Sequence, residues 1–232
     1  NPFVGTDGYG NVYPGAQIPF GGIQMSPDTD SRFYDAASGY KYNHLTLMGF
    51  SLTHLSGTGI PDLGDFLFIP GTGEMKLEPG THEDPDKGYR SRYSHDKEWA
   101  SPNYYAVELA DYGVKAEMTS GVRSGMFRFT YPESDSAFIM IDMNHTLWQS
   151  CEWSNLRMIN DSTITGYKLV KGWGPERHVY LTATFSKKLT GLRFMQDKKP
   201  VIYNTSRFRS SYEAWGKNLM ACISFDTKAG EE

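Results

Sequence analysis

The stretch at residues 52–65, LTHLSGTGIPDLGD, contains side chains that could do chemistry, namely His54, Asp62 and Asp65. Imidazole and carboxylate groups near a glycine-rich turn can hold a metal, position a hydroxyl or transfer a proton. A structural alternative is that the aspartates accept hydrogen bonds from backbone N–H groups of the turn, while His54 bonds a carbonyl at a strand end. The spacing alone favours this structural alternative.

Known catalytic and metal-binding motifs do not account for this stretch. The sequence contains no H-E-x-x-H, no paired C-x-x-C and no twelve-residue calcium loop. LSGTG does not fit the G-x-S-x-G elbow of serine hydrolases, and the early glycines lack the strand and helix of a dinucleotide loop. No two carboxylates can be singled out as a facing pair. Pattern alone therefore predicts no catalytic residue and no metal ligand.

A second segment, residues 31–44, mixes aromatic and polar side chains. It reads SRFYDAASGYKYNH and includes Arg32, Asp35 and Tyr40. Sugars bind surfaces of this kind, because ring C–H faces stack on aromatic rings and hydroxyls bond Asp, Arg or Asn. Further tryptophans at 148, 153 and 173 add to this mixture. The alternative is that several of these rings fill the core.

The elements that must position these side chains are mostly strands. Residues alternate between apolar and polar with period two at 114–119, 126–132 and 178–186. Short turns at 111–113 and 120–125 predict hairpins and antiparallel pairing. Continuous apolar runs at 66–70 and 137–143 predict strands buried on both faces. The polar segment 74–101 is expected to be an exposed excursion, and 210–220 to be a helix.

Composition and charge narrow the class of protein. The chain has 232 residues, 24 glycines, 12 prolines and 14% aromatic residues, which favours strands and turns over a helical bundle. We predict a single all-β domain over 1–232, an antiparallel β-sandwich with one or two short helices. A net charge of −4 argues against nucleic acid as a partner. The sequence contains no run of about 20 apolar residues, so it predicts no transmembrane segment.

Two questions stay open from the residues alone. Cys151 and Cys222 could form a disulfide in an oxidising compartment, but a domain of this size does not require one. The last residues, MACISFDTKAGEE, predict a strand followed by a turn. Because antiparallel sheets use such turns to return, we expect the natural chain to continue.

Several separated motifs, in order, resemble one family. NPFVGTDGYGNVYPGAQIPFGGIQMSPDT, SGYKY, GFSLTHLSGTG and DLGDFLFIP look like the amino-terminal domain of family 92 glycoside hydrolases, which are calcium-dependent exo-acting α-mannosidases. KGWGPERHVYLTATFSK and SFDTKAGEE resemble later blocks of that domain. The resemblance is close over the first third of the chain.

The resemblance implies a two-part enzyme. Its sandwich domain, a supersandwich of the galactose-mutarotase-like kind, precedes a helical (α/α) toroid that supplies the catalytic acid, the base and the calcium ligands of an inverting reaction. We therefore expect calcium in the full-length enzyme, with its ligands outside this chain, and no activity from this chain alone. It also implies a secreted, periplasmic or cell-surface bacterial protein whose partners are the toroid and a mannose-containing glycan, with α-1,2-linked mannose the expected substrate.

Carried over motif by motif, the resemblance places substrate-positioning or domain-docking residues in the loops described above. These are Ser38, Tyr40, His54, Ser56, Asp62 and Asp65. Arg32 and Asp35, from the aromatic and polar segment, are further candidates for substrate binding or the domain interface. Many family members have Trp shortly before SGY and His in the first glycine loop, whereas Phe33, Tyr34 and Tyr9 stand here, which leaves the linkage preference open. The alternatives are a free-standing carbohydrate-binding module and a mutarotase-like epimerase.

Overall fold

The computed structural model describes residues 1–32, 34–202 and 213–232. In these residues the chain is almost entirely β-structure, with single-turn 3-10 helices at Pro85–Lys87 and His95–Lys97. The strands, numbered in chain order, are β1 Ser26–Asp28, β2 Thr46–Leu47, β3 Gly49–Ser51, β4 Leu67–Thr72, β5 Ser91–Arg92, β6 Glu98–Ser101, β7 Tyr104–Leu109, β8 Val114–Ser120, β9 Gly125–Thr130, β10 Ser134–Asp142, β11 Ser150–Asn160, β12 Thr163–Lys171, β13 Arg177–Thr184, β14 Gly191–Gln196, β15 Lys199–Pro200, β16 Glu213–Gly216 and β17 Leu219–Thr227.

The strands form one large sheet and three smaller ones. The large sheet has the order β1-β3-β4-β10-β17-β14-β15, and two four-stranded sheets have the orders β6-β7-β8-β9 and β13-β12-β11-β16. β2 and β5 make a short two-stranded sheet. Every strand pair within the described residues is antiparallel. The predicted all-β antiparallel sandwich is confirmed.

The middle of the large sheet is buried on both faces, as the continuous apolar runs predict. In β10, Ile139 and Ile141 face a core shared with both four-stranded sheets, which contribute Val107 and Leu156 among others. Phe138 and Met140 face the opposite way into a second cluster. Each fully buried aliphatic or aromatic side chain contributes about 1.5–3 kcal/mol, so these strands anchor the fold.

The prediction of an exposed excursion at 74–101 is wrong in part. Tyr89 is buried in the second cluster, where it covers the large sheet together with the partly buried Met75 and Leu77. Tyr93 and Glu98 are also buried. The prediction relied on the small number of aliphatic residues in this segment. Tyrosine can also be buried, because its large ring is apolar while its hydroxyl bonds a carbonyl or carboxylate.

The prediction of a helix at 210–220 is wrong for the described part of that segment. Residues 210–212 lie outside the described residues, and β16 and β17 occupy Glu213–Gly216 and Leu219–Thr227. Ala214 is buried whereas Trp215 is exposed, which is the period-two pattern of a strand. Gly216 and Asn218, with φ of 135° and 55°, turn the chain between the two strands.

Hairpins and alternation follow the sequence elsewhere. The turn at 111–113 joins β7 to β8, and 120–125 joins β8 to β9, as predicted.

Cys151 and Cys222 are buried free thiols, and burial raises the pKa of Cys222 to about 12. Among the described residues, no helix has the length and apolar character needed to span a bilayer.

Candidate functional site

Three loops that are distant in sequence meet in the structure. The backbone N–H of Gly57 donates to the carbonyl of Asn11 at 2.6 Å, and that of Tyr42 donates to the carbonyl of Thr6 at 2.9 Å. Lys41 pairs with Asp35 at 3.2 Å, which ties the start of the 31–42 segment to its end. We call the described residues of 5–12, 31–42 and 54–60 the loop rim.

Gly39, in the SGY motif, explains why two of these loops fit together. Its φ is +85°, and a Cβ at this position would lie 2.1 Å from Oδ1 of Asp28 and 3.1 Å from Nε2 of His54. Any larger residue would collide with this buried pair. The motif thus needs glycine for close approach as well as for its left-handed backbone.

Asp28 is a fully buried carboxylate between two histidines. Its Oδ1 lies 2.7 Å from Nε2 of His54 and its Oδ2 lies 2.8 Å from Nε2 of His145. Burial alone would raise the pKa of Asp28, but the charge on His54 and the hydrogen bonds from both histidines lower it well below its usual range. Asp28 is therefore ionised across the neutral pH range.

His54 uses both ring nitrogens in this arrangement. Nδ1 lies 2.8 Å from the carbonyl oxygen of Gln24, and Nε2 faces the carboxylate of Asp28. Both ring nitrogens therefore contact oxygens of the protein. His54 follows strand β3 and bonds a backbone carbonyl, which is the structural role predicted for it at a strand end. The buried pair holds the rim in place, since neither side chain is exposed to solvent.

Asp65 is the centre of a second buried charge network. Oδ1 lies 3.2 Å from Nζ of Lys168, while Oδ2 pairs with Arg177 and accepts a hydrogen bond from Thr53 at 2.7 Å. Lys168 is itself fully buried and donates to the carbonyl of His145 at 2.6 Å. Burial raises the pKa of Asp65, but the charges of Lys168 and Arg177 outweigh it, so the pKa is lowered. The network joins the 62–65 turn to β12 and β13.

Asp62 combines a local turn role with a longer-range contact. Oδ1 accepts a hydrogen bond from the N–H of Leu63 at 2.7 Å, as the structural alternative predicts. Oδ2 accepts one from the N–H of Trp173 at 3.3 Å, in the loop between β12 and β13. Asp62 therefore fixes the position of Trp173, which is 61% exposed.

The predicted site residues fall into an exposed and a buried group. Arg32, Asp35 and Ser56 are accessible, with the first two side chains 62% and 41% exposed. Buried residues make up the second group, which comprises Ser38, Tyr40, His54, Asp62 and Asp65. The structure thus gathers the loops as expected but places five of the eight side chains beneath the surface. Phe33 lies outside the described residues.

Tyr40 belongs to a buried cluster around Glu98. Its hydroxyl donates to the Glu98 carboxylate at 3.0 Å, and the Tyr105 hydroxyl donates to the same group. Nδ1 of His95 lies 2.6 Å from Oε2 of Glu98. Burial raises the pKa of Tyr40 far above its usual value, so Tyr40 is a neutral donor that cannot reach a ligand at the surface.

Sequence reasoning missed four residues of the two charge networks: Asp28, His145, Lys168 and Arg177. Lys168 carried a signal, because it lies in phase with the inward positions Ile164 and Val170 of β12. A lysine at an inward position of a strand predicts a buried partner of opposite charge. Asp28 and His145 are 117 positions apart, and no local pattern links them.

Exposed aromatic rings occur in the loop rim and on one sheet face, as well as at other positions such as Trp99 and Trp173. Tyr9 and Tyr34 lie in the loop rim and are 99% and 61% exposed. A second group lies on the outer face of the β13-β12-β11-β16 sheet, where the Tyr167 ring is 5.8 Å from Trp153 and 5.0 Å from Tyr180. This outer aromatic face is defined by Trp153, Tyr167, Tyr180 and Trp215. Both places offer stacking surfaces for sugar rings.

Two large clefts occur among the described residues, and one of them reaches the loop rim at Ser31. A polar groove of about 860 Å³ is lined by Asp142, Asn144, Trp148 and Lys217 among others. Burial raises the pKa of Asp142, whose Oδ1 accepts a hydrogen bond from the N–H of Asn144. An apolar cleft of about 710 Å³ lies between β9 and β13 and is lined by rings including Phe68, Phe127, Phe129 and Phe225.

One group of side chains in the described part of the chain could hold a metal. Asp30, His44 and His82 each offer a ligand atom, and these atoms all lie within 4.8 Å of one another. The sequence spacing does not predict this group, because its members come from three separate segments. Two imidazoles and one carboxylate are unlike the all-oxygen sets that calcium prefers.

Comparison with known proteins gives a match over the whole chain. A family model described as the glycosyl hydrolase family 92 N-terminal domain matches residues 1–232. A curated protein of Arthroderma benhamiae, described as an uncharacterized secreted glycosidase, is 29% identical over 135 residues, which cover 57% of this chain and 17% of that protein.

Solved structures agree with this match. The structure of a family GH92 α-mannosidase from Bacteroides thetaiotaomicron is 98% identical with a TM-score of 0.96, and the match covers 100% of this chain and 31% of that one. A family GH92 inverting mannosidase from the same species is 23% identical with a TM-score of 0.78, covering 100% and 29%. At this identity the second match shows a shared fold. The chain spans less than a third of either protein.

Proposed function

The chain belongs to the N-terminal domain family of glycosyl hydrolase family 92, and we propose that it shapes the substrate pocket and docks the catalytic domain of a secreted, inverting α-mannosidase. The substrates are mannose-terminated glycans, and the bond that is cleaved is the α-1,2 linkage of the terminal mannose. The Arthroderma benhamiae relative is described as a secreted glycosidase, which supports this location.

The observation that carries this proposal is the coverage of the α-mannosidase match. All of this chain aligns at 98% identity with 31% of that protein. The chain therefore corresponds to one part of a larger enzyme. We assign the catalytic acid, the base and the calcium ligands to a second, helical toroid domain. On this assignment the present chain alone has no hydrolytic activity.

Within this arrangement the loop rim contacts the sugar or the second domain. Arg32, Asp35 and Ser56 present hydrogen-bonding groups, and Tyr9 and Tyr34 present rings. Beneath them, the networks around Asp28 and Asp65 fix the loops, so little conformational entropy is lost when a ligand binds. The buried residues are positioning residues, whereas the exposed ones make the direct contacts.

The chemistry assigned to the longer enzyme is inversion at the anomeric carbon. An acid protonates the glycosidic oxygen while a base activates water on the opposite face, with the two carboxyl groups about 6.5–9.5 Å apart. Calcium, where the toroid holds it, would supply charge stabilisation and bind sugar hydroxyls. The part of this chain is to orient the terminal mannose and to exclude water from one side.

The test compares this chain with a longer protein that contains it. We expect mannose release from α-1,2-mannobiose by the longer protein only, with the β-anomer appearing first in the NMR spectrum. In the longer protein, Arg32→Ala and Ser56→Ala should each lower kcat/KM about 10-fold, which corresponds to about 1.4 kcal/mol. Arg157→Ala is the matched control, because Arg157 is exposed in β11.

Three outcomes contradict this proposal. Hydrolysis by the 232-residue chain alone would place the acid and base within it. An α-anomer as the first product would exclude inversion. Equal effects of Arg32→Ala and Arg157→Ala would remove the loop rim from the site. Comparison of α-1,2-, α-1,3- and α-1,6-linked substrates decides the linkage.

A second function, a free-standing carbohydrate-binding module, is favoured by the outer aromatic face. Trp215 is 53% exposed and Tyr180 is 74% exposed on the sheet face that also carries Asn155 and His178. Aromatic rings beside hydrogen-bonding groups suit sugar stacking. This function requires that the chain alone binds mannosides.

Calorimetry of the chain alone with α-mannobiose tests the second function. Binding that Trp215→Ala abolishes would support it. Trp99→Ala is the control, since Trp99 is 48% exposed in β6, outside that face. Absence of heat would leave the pocket-shaping function as the one that the chain performs.

A further inference from the structure

Three segments bring a carboxylate and two imidazoles together beside the loop rim. Asp30 follows β1, His44 precedes β2, and His82 lies in the loop before the first 3-10 helix. Their ligand atoms are all within 4.8 Å of one another. The Asp30 side chain is 4% exposed, and those of His44 and His82 are 14% and 18% exposed. These side chains are thus screened from bulk water while remaining reachable.

The outer nitrogens of both histidines are held by threonine hydroxyls. Nδ1 of His44 lies 3.0 Å from Oγ1 of Thr29, and Nδ1 of His82 lies 2.9 Å from Oγ1 of Thr46. Metal-binding histidines usually have their second nitrogen bonded in this way, which fixes the ring orientation and leaves the other nitrogen free for the metal. Nε2 is the nitrogen left for a metal in both rings.

One of the distances between ligand atoms already matches that of a tetrahedral site. Nε2 of His82 is 3.3 Å from Oδ2 of Asp30. With metal–ligand bonds of about 2.0–2.1 Å, two ligands of a tetrahedral zinc ion are roughly 3.3 Å apart. Nε2 of His82 is buried and faces the Asp30 carboxylate without a hydrogen bond of regular geometry among the described residues. A metal ion between the two groups would satisfy both more fully.

Arg32 competes with a metal for Asp30. Its Nε and Nη2 lie 2.7 Å and 2.6 Å from Oδ2 of Asp30. The Arg32 side chain is 62% exposed, so it can leave without opening the core. Asp35 lies nearby, with Oδ2 3.8 Å from Nε2 of His44, and is a candidate for a fourth ligand.

We propose that Asp30, His44 and His82 form a binding site for a divalent transition metal, with Zn²⁺ as the best match. Two imidazoles and a carboxylate with one further position form a common zinc ligand set, whereas Ca²⁺ takes six to eight oxygens. The bound ion would join the 30–44 loop to the 80–88 loop and hold this side of the loop rim.

Cobalt is the probe for the site, because tetrahedral Co²⁺ absorbs visible light. The chelator-treated chain is titrated with Co²⁺ and then with Zn²⁺, with circular dichroism confirming the fold. We expect one Co²⁺ per chain, displacement by Zn²⁺ and no displacement by Ca²⁺. His82→Gln should weaken binding at least 100-fold, whereas Arg32→Gln should strengthen it about 10-fold because it removes the competing cation.

His178→Ala is the matched control, since His178 is an exposed histidine in β13. It should leave the titration unchanged. Absence of Co²⁺ absorption, or absorption that survives both His82→Gln and His44→Gln, overturns the proposal. If His44→Gln does not fold, His82→Gln and Arg32→Gln still decide the question with opposite signs. Mannosidase assays play no part in this readout, so its failure is distinct from failure of the pocket-shaping function.

Discussion

Lys168 and Asp65 form an ion pair with no solvent exposure on either side chain. Asp65→Asn would leave the buried ammonium with the carbonyl of His145 and the ring of Phe66 as its remaining contacts. Removal of one member of such a pair costs about 3–5 kcal/mol. We expect the free energy of unfolding, measured by urea denaturation, to fall by this amount.

Asp161→Asn is the control for that substitution. Asp161 pairs with Lys188 at 2.9 Å, but both side chains are largely exposed. Exposed pairs contribute about 0–1 kcal/mol, so the control should change little. Equal losses from the two variants would show that burial does not decide the strength of the Asp65 pair.

The same carboxylate predicts a pH dependence. The pKa of Asp65 is lower in the folded chain than the value of about 3.9 in an unfolded one. Its stabilisation is therefore present above about pH 4 and is lost as the pH falls toward the folded pKa. Asp65→Asn should reduce the slope of stability against pH in this acid range by up to about 1.4 kcal/mol per pH unit. Identical slopes for both proteins would contradict the assignment.

At the residue scale, the sequence predicted which loops carry polar groups but not which groups are buried. His54 and Asp65 were candidates from their types alone. Their partners Asp28 and Lys168 come from other strands, and only the fold brings such groups together. Burial of a charged group depends on that partner, so a local pattern cannot decide it.

At the element scale, Gly39 predicts a difference between two left-handed glycines. Gly39 and Gly73 have φ of +85° and +83°, but only Gly39 faces Asp28, because nothing lies within 4 Å of a Cβ at Gly73. Alanine at either position pays a backbone cost of about 1 kcal/mol. Gly39→Ala should cost about 1–3 kcal/mol more, since the methyl group collides with the carboxylate.

Thermal unfolding of Gly39→Ala and Gly73→Ala measures this difference. The Tm of Gly39→Ala should be several degrees lower than that of Gly73→Ala. If the two proteins melt together, the loop around Gly39 moves away from Asp28 without cost. The close approach would then have no part in holding the loop rim.

Elements with a clear period were predictable. β8 and β13 follow the alternation of their residues because one face of each packs on the core. The helix prediction for 210–220 was wrong because Ser, Glu and Ala suggested a helix. In the structure Ala214 packs inward and Trp215 points outward, as in a strand. Tertiary packing overrides propensity in such short segments.

At the scale of the whole molecule, the sandwich was predictable from composition and turns, whereas the division of its surface was not. The loop rim and the outer aromatic face share no residue, whereas Tyr180 belongs both to the outer aromatic face and to the apolar cleft between β9 and β13. Each of these surfaces is formed by residues far apart in sequence, so a local pattern does not predict which surface a second domain contacts. The pocket-shaping function requires that the loop rim be covered in the longer protein.

Amide hydrogen exchange locates the covered surface when the chain alone is compared with a longer protein that contains it. At the loop rim, the Gly57 amide bonds the Asn11 carbonyl across two exposed loops, so its protection should rise when a domain docks there. We expect exchange at 5–12 and 54–60 to slow at least 10-fold. β13, an edge strand with Tyr180 on its exposed face, should exchange at the same rate in both proteins. Slowing at β13 with no change at the loop rim would move the docking surface to the outer aromatic face and contradict the proposed function.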